Sequence, residues 1–436
     1  MLKIGIFLFT NDLRIEDNPA LAQASREMDK LICLHCSEQS TPSTAIRGPA
    51  KLSNHRLHFL HQSLRALDQN LKHQHQHLLM REQSLLDVVP ELITLHNVSH
   101  IYSSYHAGWY ENHQWKILTS RYPGIVFQQR HSHSLFDEDQ LPFSVADLPD
   151  SFSKFRRVIE RVKIIAPEPA LISMPPSPLA ENSFKPLAES TQATDSGMFE
   201  GGENAGLSHL NGYFRQTLAS TYKKTRNGLD GMNYSTKFSP WLANGSISVR
   251  SIMSKLRDYE RDIESNDSTY WIFFELLWRE YYQWYARRHQ SLLFAFKGIG
   301  SFNPSTSFYP ERYQKWCNGN TPFPIVNALM NQLSNTGYMS NRGRQLVASC
   351  FVHELNLDWR YGAAYMEQQL IDYDTASNWG NWQYLAGVGA DPRGHRKFDL
   401  NKQTATYDPA GEFLHRWQGS SNLQPLDSMD AADWPI

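Results

Sequence analysis

The hydrophobic pattern of this chain changes period once, near residue 200, and that change limits it to two unlike layers joined in series. Before it, short apolar runs alternate with stretches of helical spacing. Ile4–Phe9, Leu31–Cys36, His77–Met80, His100–Ser104 and Ile125–Gln129 are strand candidates. Between the second and third, Leu57, Leu60, Leu64, Leu67 and Leu71 recur three and four apart, the interval of an amphipathic helix. Leu85–Leu95 and Glu111–Ser120 predict further helices. Such alternation gives a parallel sheet with right-handed crossovers, so residues 1–135 read as an α/β domain. From 136 to 200, Pro142, Pro149, Pro167, Pro169, Pro175, Pro176, Pro178 and Pro186 break any long element. That stretch reads as a linker wrapping the surface, with one helix near Ser153–Lys163. Beyond Gly201 the strand pattern is gone. Helices are predicted over Gly206–Tyr222, Ser248–Tyr259, Tyr270–Arg288, Pro324–Thr336, Arg342–Leu355, Trp359–Leu370 and Asn378–Val388, so residues 201–436 read as all-α, without internal repeat.

Composition removes several function classes. With 41% hydrophobic and 20% charged residues this is an ordinary globular chain. Its net charge of −2 means that any grip on nucleic acid comes from a local basic face. Cysteines at 33, 36, 317 and 350 form no disulfide framework. Cys33-Leu34-His35-Cys36 has metal-like spacing but lies in a predicted strand with no second pair, so no metal is expected. His73, His75 and His77 read as a polar turn, and grouped C-terminal cysteines for an iron–sulfur cluster are missing. Asn11, Asp12 and Arg14 cut the first apolar run too short for a signal core, and no run approaches a membrane span. A cytoplasmic monomer is expected.

The residues that carry chemistry cluster in the helical half. In the run from Tyr234 to Ala243, Ser235, Thr236, Lys237, Phe238 and Ser239 set three hydroxyls and one ammonium ahead of a helix that Pro240 can open. That suits a pyrophosphate, although Ser and Thr before such a helix are also ordinary N-caps. On the next helix Glu275, Trp278 and Arg279 lie three or four apart and share a face able to bind a flat heterocycle; a core helix with an ion pair has the same pattern. Arg342 and Arg344 flank a Gly beside Asn341 and Gln345. Asp372, Asp374 and Asn378 follow, with Trp382 and Tyr384 close behind. Acids there could simply cap a helix, which leaves the tryptophans unexplained.

These runs together resemble the photolyase/cryptochrome family in its DASH branch. Phe9-Thr10-Asn11-Asp12-Leu13-Arg14 with Asp17-Asn18 resembles the family's opening motif. Leu148-Pro149-Asp150-Ser151-Phe152, Glu200 to Gly206, Thr225-Arg226-Asn227-Gly228-Leu229 and Gly387 to Arg393 are similar to DASH segments. The resemblance implies a Rossmann-like antenna domain and a helical domain holding FAD in a U-shape. Tyr222, Ser235, Thr236, Lys237, Phe238, Ser239, Trp271, Arg279, Asn341, Arg344, Asp372, Asp374 and Asn378 would bind the cofactor. Asn378, near the flavin N5, would favour the stable reduced form. Glu275, Trp278, Asn341, Gln345, Asn378 and Tyr384 would serve catalysis at a pyrimidine-dimer cavity, and Trp382 and Trp359 would carry electrons. The third tryptophan of that chain is missing, Thr306 standing at its position, with Tyr309, Phe308 or Trp316 as substitutes. Gln345 and Tyr384 replace Met and Trp of the photolyases that act on duplex DNA. They imply repair mainly in single-stranded or looped DNA, with Arg342, Arg393, Arg396 and Lys397 as a basic rim. The alternative is a blue-light photoreceptor that repairs little; the short stretch after Trp417 and the presence of Glu275 and Trp278 favour repair. A folate antenna, 5,10-methenyltetrahydrofolate, would sit near Tyr105–Glu111.

Overall fold

In a computed structural model, residues 2–37, 51–171, 173–180, 198–301, 303–390 and 397–427 are described. Five parallel strands, β1 (Ile4–Leu8), β2 (Lys30–Cys36), β3 (Leu78–Arg81), β4 (His100–Ser104) and β5 (Val126–Arg130), form one sheet in the order β3-β2-β1-β4-β5. Its helices are α1 (Pro19–Glu27), α2 (Asn54–His73), α3 (Leu85–His96) and α4 (Trp109–Arg121). The two-residue period of the strands sorts the core. Phe7, Phe9, Leu31 and Cys33 face α1 and α2 through Leu21, Ala24, Leu64, Leu67 and Leu71. Ile6, Leu8, Ile32 and Leu34 face α3 and α4 through Val88, Val89, Leu92 and Leu118. Both faces are covered at the central strands, which is why β1 and β2 read as nearly unbroken apolar runs, whereas the edge strand β5 has no buried residue.

α1 escaped the sequence reading because only nine residues long. Its signal was present: Asn18 accepts from the N–H of Leu21 at 3.1 Å, and Pro19 opens the helix.

The linker departs from expectation in its first half. Leu135, Phe136, Leu148 and α5 (Phe152–Ile159), with Phe152, Phe155 and Ile159, are buried in the core of the helical domain, not laid over the surface. The prolines bound elements here; they do not exclude burial.

The helical domain comprises α6 (Glu203–Arg215), α7 (Tyr222–Thr225), α8 (Ser239–Ala243), α9 (Val249–Asp262), α10 (Asp267–His289), α11 (Pro310–Cys317), α12 (Pro324–Thr336), α13 (Asn341–Ser349), α14 (Trp359–Gln369), α15 (Thr375–Leu385), α16 (Leu400–Tyr407) and α17 (Glu412–Arg416). The helix predicted through Leu355 ends as an α-helix at Ser349 and continues as a π turn over Cys350–Glu354. α10 is the axis of the domain, started by a capping box between Asn266 and Thr269. α15 packs along it through Tyr282 to Asn381 at 3.2 Å and Tyr285 to Gln383 at 2.7 Å.

Charges close the seam between the domains. Arg14, 1% exposed, donates to the carbonyls of Glu16, Asp17, Ser132 and Gly245 at 2.7–3.0 Å. Gly245 approaches so closely that a Cβ there would stand 1.8 Å from the Asn11 carbonyl, at a φ of +71°. Glu203 accepts from the backbone N–H of Ile15 and of Glu16 and from the Asn70 amide at 2.8–3.2 Å.

Glu203→Ala should therefore orphan three donors at the seam and cost about 3 kcal/mol or more, read as a lower unfolding midpoint. Burial pushes the Glu203 carboxyl up from 4.5 to about 7. The folded state thus takes up a proton in that window, and this group's contribution is lost as pH rises through about 7. The stability gap between wild type and variant should shrink over that range; a gap that widens refutes the assignment.

Candidate functional site

The hydroxyl-rich run folds as a strained loop into α8. Ser235 and Lys237 hold φ values of 62° and 54°. Left-handed backbone costs a side-chain-bearing residue about 1–2 kcal/mol. His209 keeps the loop in place: its Nε2 donates to the Thr236 carbonyl at 2.9 Å while its ring stacks on Trp241 at 4.9 Å. Beneath lie Phe238, against Tyr213 at 5.2 Å, and buried Tyr222. Lys237 is 4% exposed, yet among the described residues its ammonium has neither a carboxylate nor a hydrogen-bond acceptor. It stands 4.8 Å over the ring of Tyr338. An ammonium at the tip of so enclosed a side chain, with no counter-charge beside it, is a ready place for an anion. Half-buried hydroxyls of Ser235, Thr236 and Ser239, and a first turn of α8 without a side-chain cap, complete a donor set that fits a pyrophosphate.

Along α10 the side chains diverge. Glu275 accepts from Arg226, whose guanidinium also lies 4.7 Å over Trp271. Trp278 stacks on Phe152 of α5 at 3.8 Å and meets Tyr384 edge-on, 6.1 Å and 77° apart. Both rings are half-buried. Arg279 turns toward the α/β domain and donates to the His133 carbonyl at 2.5 Å. The shared face expected from spacing thus splits, Glu275 pairing with α7 and Arg279 with the loop after β5.

The third group lies on α13 and α15. Arg344 grips Asp372 through two bonds of 2.7 and 2.9 Å, and the Asp372 side chain is fully buried. Arg344 also lies 5.5 Å from the Tyr338 ring, which joins this pair to Lys237. Asp374 caps α15 through Ser377 at 2.7 Å and accepts from Gln283 of α10 at 2.8 Å, so the capping role foreseen for the acids is real at this position. Asn378 donates to the Ala363 carbonyl at 3.0 Å; Asn341 is exposed and Gln345 half-buried. Trp382 lies on Gly362 of α14, where an added Cβ would fall 2.3 Å from its ring; Trp359 is one turn away and donates to the Phe296 carbonyl at 2.9 Å. On the rim, Arg342 bonds to Asn227 at 3.1 Å and lies over Tyr407, while Lys397 pairs with Glu354 at 3.1 Å. Arg393 and Arg396 lie outside the described residues.

Two openings flank the domain seam. One, of about 260 Å³, lies at the carboxyl ends of β1 and β2, among Asn11, Arg56, Tyr110, Glu111, Glu367 and Tyr373. The other, of about 240 Å³, is lined by Tyr105, Trp109, Asn112, His113, Arg287 and Gln290. Open sheets of this kind place ligands beyond the carboxyl ends of their strands. Among the described residues no cluster of His, Cys, Asp or Glu is arranged to hold a metal, and no helix is long and apolar enough to cross a membrane.

The family model described as the FAD binding domain of DNA photolyase matches residues 271–429, and the one described as DNA photolyase matches residues 5–174. They define a two-domain flavoprotein of photolyase type. A cryptochrome DASH of Idiomarina loihiensis is 53% identical over 100% of this chain and 97% of its own. The solved cryptochrome of Synechocystis sp. shares 36% identity, covers 96% of this chain and 89% of its own, and superposes with a TM-score of 0.87. An archaeal photolyase from Sulfolobus tokodaii with two FAD molecules shares 25% identity over 95% and 90% of the two chains, TM-score 0.75. The chain belongs to the photolyase/cryptochrome family, in its cryptochrome DASH branch. The expected kinship, the α/β-then-helical architecture and an FAD-binding domain are all met.

Tyr338, Arg226, His209, Gln283 and Phe152 were not singled out by sequence. Phe152 and Arg226 stand inside segments already noticed, but their partners are remote: Arg226 and Glu275 are 49 residues apart. Arg344→Met should leave Asp372 buried without its cation and cost about 3–5 kcal/mol, checked by thermal unfolding of flavin-free protein. An unchanged midpoint would show that the pair is not structural.

Proposed function

We propose that this protein splits cyclobutane pyrimidine dimers under blue light, mainly in single-stranded or looped DNA. The observation that carries this reading is the half-buried right-angled corner of Trp278 and Tyr384. Such a corner offers a base one ring to lie on and a second to bound it, worth about 1–3 kcal/mol per stacked base. FAD, when bound, supplies the single electron that an uncharged dimer needs in order to open. Lys237, Ser235, Thr236 and Ser239 hold its pyrophosphate; Arg344, Asp372, Asp374 and Asn378 orient its ring edge. Glu275, held by Arg226, presents a carboxylate to the N–H groups of the damaged bases. Trp382 and Trp359 pass electrons inward from the protein's outer side to the flavin. Arg342 steers phosphate.

Unpaired bases are cheaper to swing out of a stack, and a tyrosine in the corner grips less strongly than two indoles would, which supports the single-strand preference. The same polar Tyr384 and Gln345 favour a second reading, a blue-light photoreceptor with little repair. A folate antenna is assigned to the opening between Trp109 and Arg287, where aromatic faces and a cation suit a pterin with an acidic tail.

Purified protein should be yellow and repair dimers in single-stranded oligonucleotides under blue light faster than in duplexes. Lys237→Ala should weaken FAD retention about ten- to a hundredfold, measured by equilibrium dialysis. Glu275→Ala should lower dimer splitting with the flavin absorbance unchanged. Light-independent, equal repair of both substrates, or none, discards the repair reading.

A further inference from the structure

Where the family resemblance calls for a third redox tryptophan, Thr306 carries no ring, and the packing around Trp359 offers another way out. Trp379 is fully buried and meets Trp359 edge-on, centroids 5.9 Å apart at 77°. Its Nε1–H faces two acceptors, the Tyr373 hydroxyl and Glu367 Oε2, each at 3.2 Å. Both acceptors share that one N–H, which sets the Tyr373 hydroxyl beside the Glu367 carboxylate. Glu367 is 3% exposed, and burial pushes its carboxyl up to about 7, so it is a far better proton acceptor than an ordinary glutamate. Arg56 lies 4.5 Å over the Tyr373 ring and donates to the Glu367 backbone carbonyl. Tyr373, Glu367 and Arg56 all line the 260 Å³ opening at the seam.

The competing route is poorer in one respect. Trp382 also meets Trp316, 6.2 Å away, and Trp316 meets Tyr365 at 5.5 Å. But Trp316 donates to the Val347 carbonyl and Tyr365 to the Cys317 carbonyl. A phenol becomes a strong acid once oxidised and needs a base within hydrogen-bond reach. A backbone carbonyl cannot take that proton; Glu367 can.

We propose that Trp379, Tyr373 and Glu367 form a branch that supplies electrons to Trp359. Oxidised Trp359 takes one electron from Tyr373 by way of the Trp379 indole. The phenolic O–H bond of Tyr373 breaks and its proton forms a new O–H bond on Glu367. The products are neutral Trp359, a neutral Tyr373 phenoxyl radical and a neutral carboxyl. A small thiol entering the opening then gives up its S–H hydrogen atom to the Tyr373 oxygen, re-forming the phenolic O–H bond and leaving as a thiyl radical, and Glu367 releases its proton to solvent. The branch rests on the reading that Trp382 and Trp359 carry electrons.

Electron paramagnetic resonance of flash-illuminated, freeze-trapped holoprotein tests it, with ring-deuterated tyrosine to identify the radical. Wild type should give a tyrosyl signal that narrows on deuteration. Tyr373→Phe, which keeps the ring beneath Arg56, should lower that signal about tenfold or more, as should Glu367→Gln, which removes the proton acceptor. Trp379→Phe should do the same by interrupting the path. A wild-type signal from tryptophan alone, or a tyrosyl signal unchanged in Tyr373→Phe, overturns the branch while the coloured protein leaves the flavin reading standing. Colourless protein overturns both.

Discussion

Everything at the site is positioned by the charged seam between sheet and helices. Arg14 emerges from the loop after β1 and satisfies four carbonyls drawn from both domains, so the loop cannot shift without leaving a buried guanidinium unpaired. Asp17 adds a second tie, accepting from Arg250 at 3.2 Å and from Ser248, at the start of α9. Removing one partner of such a buried set costs about 3–5 kcal/mol, whereas the assembled set contributes little net stability. Its service is therefore registration: it fixes the carboxyl ends of β1 and β2 against α14 and α15, and the seam cavity is what remains between them.

The same logic, inverted, explains the loop at Lys237. There the chain encloses a lysine, sets no carboxylate beside its ammonium among the described residues, and accepts two left-handed residues in the same loop. Folding alone gains nothing from either feature. Tyr338 softens the cost by offering its ring face to both Lys237 and Arg344, and Arg344 is in turn neutralised by Asp372. Of the two cations at that ring one is paired and one is left open, which directs an anion to a single place.

Much of the fold was legible because period and burial agree. All five strands and α12 emerge nearly as read, the central β1 and β2 most plainly because both faces of the sheet are covered there. The linker was misread because proline marks where an element ends and says nothing about depth; Phe152 is buried and forms one wall of the Trp278 stack. The candidate site residues rest on local motifs, which carry identity but not direction. Hence Arg279 and Glu275, one turn apart, were placed together although their partners lie in different domains. Tyr338, the ring that joins two motifs, had no spacing to betray it.

The many buried tryptophans raise the question of which of them can hold a positive charge, and their hydrogen bonds answer it. Trp241, Trp316 and Trp359 donate to backbone carbonyls, which polarise the indole but cannot accept its proton. Trp284 and Trp379 donate to buried carboxylates, Glu280 and Glu367, each with its carboxyl raised to about 7. These two look alike until their other neighbours are counted. Arg287 lies 4.9 Å over the Trp284 ring, and a fixed cation there opposes any oxidation of the indole. Trp379 instead is framed by Phe294 and Trp359, and the Arg56 guanidinium lies over Tyr373. A charge can thus form on Trp379 and pass on, whereas on Tyr373 it is cancelled by loss of the proton that Glu367 is placed to receive. Hydrogen bonding and cation placement together separate an indole that stands beside a proton acceptor from one that, like Trp359, must draw its electron from a neighbour, where burial alone does not.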